Sequence, residues 1–192
     1  MLLDQCPAPI ALAPMAGGPS TPELCAAVAD AGGLGFLAAG YLSTDELGAR
    51  IERTRALTDR PFGVNLFVPP PAGQSTAVES YRSRLAAETE RYGIPLGEPR
   101  RDDDAWDAKL DMVVEAGVAA VSLTFGCPDE DVVRRLHAAA AEVWVTVTTP
   151  TEAREASRAG ADCLVVQGTE AGGHRGGFVD DHDGIGLLTL LL

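Results

Sequence analysis

Arg158-Ala159-Gly160-Ala161-Asp162-Cys163-Leu164-Val165-Val166-Gln167-Gly168-Thr169-Glu170-Ala171-Gly172-Gly173-His174 contains a helix exit, a strand and a functional loop in one stretch. Ala159-Gly160 reads as the helix exit, because glycine accepts the left-handed conformation just past a helix end. The run 163–167 is apolar without alternation, as in a parallel strand buried on both faces. A glycine-rich loop follows. Glycines let backbone N–H groups approach a ligand closely, and successive exposed N–H groups form an anion-binding concavity. His174 stands alone in that loop, and histidine is the side-chain type suited to proton transfer near neutral pH. The stretch reads as a cofactor site at a strand end; a flexible surface loop with a solvated histidine is the alternative.

The same joint occurs upstream, where Glu115-Ala116-Gly117-Val118-Ala119-Ala120-Val121 again runs from Ala-Gly into an apolar strand. The pattern predicts strands over 10–15, 34–39, 62–67, 119–125, 143–148 and 163–167. Helices are predicted over 22–31, 43–57, 105–116, 129–140 and 151–159, and another starts in 185–192. Thr21 and Pro22 form an N-cap and first-turn pair, and Ser43 with Glu46 has the spacing of a capping box. One connection breaks the rhythm. Residues 68–104 open with Pro69-Pro70-Pro71 and include Val78, Tyr81, Leu85, Thr89 and Tyr92 at helical spacing, which predicts an inserted helix over 75–92. Such an insertion is either a lid over the active end or a peripheral decoration.

No Gly-x-Gly-x-x-Gly follows the first predicted strand, so the dinucleotide-binding fingerprint is absent. Six strand–helix units favour an α/β fold of the (β/α)8 TIM-barrel type over a doubly wound sheet. A whole barrel takes about 250 residues, so 192 residues read as a barrel truncated to about six β/α units, one incomplete domain over 1–192. Barrel enzymes place their chemistry at the C-terminal strand ends. Met15, Asn65, Thr124 and Gln167 fall at such ends and are expected to share one site.

The net charge of −13 argues against a nucleic-acid partner, which needs clustered Lys and Arg. No apolar run is long enough to span a membrane, and the start lacks the pattern of a signal peptide, so a cytoplasmic protein is expected. The four cysteines show no metal-binding spacing. Cys25 and Cys163 read as core residues, and a role for Cys127 depends on its exposure. His137 reads as peripheral. The acidic cluster around His182 reads as a solvated loop, and no metal is expected.

Three segments together carry a family resemblance. They are Pro9-Ile10-Ala11-Leu12-Ala13-Pro14-Met15-Ala16-Gly17, Phe62-Gly63-Val64-Asn65-Leu66-Phe67, and Gln167-Gly168-Thr169-Glu170-Ala171-Gly172-Gly173-His174. In this order they resemble the nitronate monooxygenase (2-nitropropane dioxygenase-like) family, and Ala31-Gly32-Gly33-Leu34-Gly35-Phe36 agrees. The resemblance implies an FMN-dependent barrel acting on a nitronate or nitroalkane with O2 to give a carbonyl compound and nitrite. It implies His174 as the catalytic histidine, which either removes the α-proton of a nitroalkane or positions a nitronate against the flavin; by residue type, Glu170 is the competing acid/base group. Asn65, Gln167, Gly172 and Gly173 match FMN contacts, and Pro14 and Met15 match the turn beneath the isoalloxazine. Thr124 stands where some relatives have His before Phe-Gly, which leaves substrate choice open. Similar enzymes continue with two more strands that complete the phosphate site, so the isolated chain is expected to bind FMN poorly. Two alternatives stay open: an NAD(P)H-dependent reductase of quinones or enoyl thioesters, and an inactive fragment that needs a partner. A homo-oligomer is compatible with either.

Overall fold

The computed structural model describes residues 1–70, 75–179 and 184–192. After a short 3-10 helix, Leu2–Gln5, the chain alternates helix and strand. The strands are β1 (Gly35–Ala38), β2 (Phe62–Phe67), β3 (Ala120–Thr124), β4 (Glu142–Val147) and β5 (Cys163–Val166). They form one parallel sheet in sequential order. The helices are α1 (Pro22–Asp30), α2 (Thr44–Leu57), α3 (Ser75–Tyr92), α4 (Trp106–Ala116), α5 (Glu130–Ala138), α6 (Pro150–Ala159) and α7 (Leu187–Leu190).

The local signals act as expected. Thr21 Oγ1 accepts from Leu24 N–H at the start of α1, and Ser43 and Glu46 close a capping box on α2. Gly117 and Gly160 end α4 and α6 at φ 61° and 101°, the left-handed region that glycine enters without strain. One predicted strand is corrected. Residues 10–15 make only an isolated parallel bridge, Ala11 to Leu34, with Leu12 N–H on Leu34 O and Leu34 N–H on Ile10 O, both at 2.9 Å. Pro9 and Pro14 flank this bridge, and neither has an N–H for a ladder. The helix begun in 185–192 is likewise a single turn, α7.

Strand parity divides the sheet into two faces. Val64, Leu66, Val121, Leu123, Val143, Val145 and Val147 face the helices and build the main core. The opposite face carries Phe36, Ala120 and Trp144 at one end, where the Phe36 and Trp144 rings lie 5.3 Å apart. Leu2, Leu3 and Cys6 pack against that end. Further along the same parity come Asn65, Ser122, Thr124 and Thr146, so successive strands deliver polar groups to one strand-end region. Among the described residues, no helix is long and apolar enough to cross a membrane.

Burial settles the cysteines. It pushes the Cys25 thiol up to about 12 and, with Glu155 nearby, the Cys127 thiol up to about 11; Cys163 is raised as well. The thiolate is the reactive form. At pH 7, alkylation of Cys25 and Cys127 is expected to run far slower than that of free cysteine, read by mass spectrometry. Rapid stoichiometric labelling of Cys127 would contradict this.

Candidate functional site

A cavity of about 760 Å³ opens at the C-terminal ends of the strands. Pro14, Met15, Asn65, Thr124, Gln167, Gly172, Gly173 and His174 all line it, so the structure brings the sequence-predicted residues together. The volume is in the range of a pocket for a cofactor or a drug-sized molecule.

The turn holding Pro14 and Met15 is fixed by Ser20, which is fully buried. Ser20 Oγ accepts from Met15 N–H at 2.8 Å and donates to Ala13 O at 3.3 Å. At the cavity floor, Asn65 is 2% exposed. Its Nδ2 donates to Ser122 O, Ser122 Oγ and Thr124 Oγ1 at 3.0–3.1 Å. Thr124 Oγ1 lies 3.4 Å from Thr146 Oγ1, which extends the polar chain to β4. Ser122 and Thr146 escaped the sequence reading. Their signal is present, since each is the polar member of an alternating apolar strand.

The glycine loop is held from two sides. Gln167 Nε2 donates to His174 O at 3.0 Å, and Gln167 Oε1 accepts from Gly176 N–H at 2.7 Å. The amide thereby clips the loop across His174. Glu152, 6% exposed, is a second anchor. Its Oε1 accepts from Phe178 N–H at 2.8 Å. Its Oε2 accepts from Thr148 N–H, Thr148 Oγ and Thr149 N–H. Sequence reading gave Glu152 no role beyond its helix. Its third position in α6 explains the Thr149 capping box, but the bond to the distant loop appears only in the fold.

His174 is exposed at the cavity, with its ring edge-on to Phe125 at 6.3 Å between centroids. Glu170 is engaged otherwise. Both of its carboxylate oxygens accept from Leu187 N–H, at 3.0 and 3.1 Å. Its own backbone N–H and that of Leu187 hold its carboxyl below the usual range. A carboxylate stabilised in its charged form is a weaker base. His137 sits on α5, away from the cavity, with Nε2 2.8 Å from Asp162 Oδ2. The cluster 180–183, with His182, lies outside the described residues.

The insertion helix α3 stands apart from this cavity. None of its described residues lines it, and Tyr81 and Tyr92 are exposed. The end of the insertion does reach the site, where Asp104 Oδ1 accepts from Tyr41 N–H at 2.9 Å.

Comparison with known proteins then places the chain. The family model described as nitronate monooxygenase matches residues 2–192. The chain belongs to the nitronate monooxygenase family. It is 43% identical to a nitronate monooxygenase of Paraburkholderia phytofirmans over 96% of this chain and 52% of that protein. Among solved structures it is similar to the nitroalkane oxidase from Streptomyces ansochromogenes, with a TM-score of 0.87 and 50% identity over 99% of this chain and 56% of that one. FabK from Thermotoga maritima superposes with a TM-score of 0.68 at 28% identity, covering 99% of this chain and 47% of that one. The chain thus spans about half the length of the curated relatives it matches.

Proposed function

We propose that the chain carries the site of an FMN-dependent nitronate monooxygenase, which oxidises alkyl nitronates and nitroalkanes with O2 to carbonyl compounds and nitrite. The observation that carries this reading is His174, held by Gln167 on a glycine-rich loop beside a largely apolar cavity. Family membership supports the reaction class.

The residues suit a flavin ring. Leu12, Phe36 and Val166 supply apolar walls for a flat heterocycle, and Asn65, Ser122 and Thr124 supply polar groups at the floor. Gly172 and Gly173 have open space where a side chain would stand, so their backbone is accessible to a ligand. Pro14, Met15, Asn65, Gly172 and Gly173 would hold the cofactor, with Gln167 keeping the loop in place. When bound, flavin supplies electron transfer and oxygen chemistry. His174 takes the proton from the carbon that bears the nitro group. The apolar walls keep water from the developing nitronate.

No lysine or arginine is among the described residues lining the cavity, so an FMN phosphate would rest on backbone N–H groups. FMN uptake by the 192-residue chain is therefore expected to be weaker than micromolar, and assays need saturating FMN. Under that condition, propane-2-nitronate should yield nitrite with matching O2 consumption. Anaerobic NADH should leave the flavin oxidised. Rapid bleaching by NADH without nitrite formation would overturn the proposal in favour of a reductase.

A further inference from the structure

Three consecutive strand ends each present an aromatic ring to the cavity. Tyr41 follows β1, Phe67 ends β2 and Phe125 follows β3. The rings meet edge to face: Tyr41 to Phe67 at 5.6 Å and 76°, and Phe67 to Phe125 at 4.9 Å and 68°. Phe125 in turn meets the His174 ring at 6.3 Å and 85°. The result is a continuous apolar rail that starts at the exposed rim and ends at the proposed base.

The rail is held at a backbone cost. Tyr41 and Phe125 have φ of 66° and 73°, a region that bulky side chains enter only under constraint. Such residues persist where the surroundings over-determine them, and they cluster at ligand sites. Gly40 is part of the constraint. A Cβ there would sit 2.2 Å from the Phe67 ring, so only glycine lets that ring lie against the turn. The turn closes through Leu42 N–H on Ala39 O at 3.1 Å.

An ion pair between a buried lysine and a partly exposed aspartate grips the same turn. Lys109, on α4, has a side chain 2% exposed. Its Nζ donates to Ala39 O at 2.9 Å and pairs with Asp104 Oδ1 at 2.7 Å. That oxygen also accepts from Tyr41 N–H at 2.9 Å. Lys109 and Asp104 thus hold both ends of Ala39-Gly40-Tyr41. Asp104 and Ala105 themselves have φ of 55° and 53°, with Asp102 and Asp103 side chains accepting from their N–H groups. Neither Lys109 nor Asp104 is needed for the proton transfer proposed above.

We infer that Tyr41, Phe67 and Phe125 form the subsite for the alkyl chain of the substrate, and that Asp104 and Lys109 are positioning residues that keep Tyr41 on it. The inference rests on the nitroalkane reading for the head group alone. An apolar rail running from His174 to the rim would select unbranched chains that can lie along it. Burial of each methylene along aromatic carbon raises affinity by about twofold to fourfold.

The test is calorimetric titration of the protein without added flavin, so that no turnover intrudes. The probes are 1-nitroalkanes from nitroethane to 1-nitrohexane, with 1-alkanols of matching length beside them. Affinity should climb with chain length at about twofold to fourfold per methylene. Tyr41→Ala, at a residue 70% exposed, should flatten that climb. Asp104→Ala should flatten it too and speed exchange of the Tyr41 amide, whereas Asp104→Asn, which keeps an acceptor, should retain most of both. A length-independent affinity in the unaltered protein, or an undiminished climb in Tyr41→Ala, would overturn the subsite. An undiminished climb in Asp104→Ala would overturn the positioning role. Equal climbs for nitroalkanes and alkanols, with no advantage for the nitro head group, would uphold the rail and count against the nitroalkane reading.

Discussion

His174→Ala is expected to lower turnover of nitroalkanes by about 10²–10⁴-fold at saturating FMN, the usual contribution of a positioned general base. Two features motivate assigning the proposed role to this one side chain. Glu170, the competing group, spends both carboxylate oxygens on Leu187 N–H and is held in its charged form. The Gln167 amide bonds the His174 carbonyl and Gly176 N–H, so the backbone under the ring survives loss of the ring. Flavin affinity should therefore change little in the variant. Pre-formed nitronates need no deprotonation and should lose less activity than the neutral nitroalkanes. Steady-state nitrite release with both substrate forms checks this. Equal, small losses for both would remove His174 from the proton transfer.

Glu152→Ala is expected to destabilise the fold by about 3 kcal/mol, because it strands two buried and two part-buried donors around one carboxylate. Thr148 N–H, Thr149 N–H, the Thr148 hydroxyl and Phe178 N–H all lose their acceptor. The first three lie at the start of α6. The fourth belongs to the loop that carries His174, so the same change should free that loop and speed exchange of the Phe178 amide. Glu152→Gln keeps one acceptor oxygen and should fall between the two. Urea unfolding gives the stability, and hydrogen exchange gives the local effect. A loss below about 1 kcal/mol would show that water replaces the carboxylate at little cost.

Much of this architecture was legible in the linear chain. The Ala-Gly joints located the ends of α4 and α6 because the left-handed position after a helix selects glycine for a local steric reason. The capping pairs at Ser43 and Thr21 are local for the same reason. Residues 10–15 were less legible. Their apolar character marks a strand, but a ladder needs paired N–H groups on a neighbour, and the prolines at 9 and 14 limit it to one bridge.

The candidate site divides along the same line. The sequence by itself indicated that Met15, Asn65, Thr124 and Gln167 would meet, because parallel strands in sequential order align their C-terminal ends. Only the tertiary structure decided which partner each side chain meets there. Gln167 reads as a strand-end amide facing a ligand, yet its partners are the backbone of residues 174 and 176. Glu152, Ser20 and the Lys109–Asp104 pair act on residues outside their own elements: Phe178, Ala13 and Tyr41. Local sequence fixes helix ends and strand parity through short-range sterics. Which donor meets which acceptor across the fold depends on where loops close, and no spacing in the chain encodes that distance.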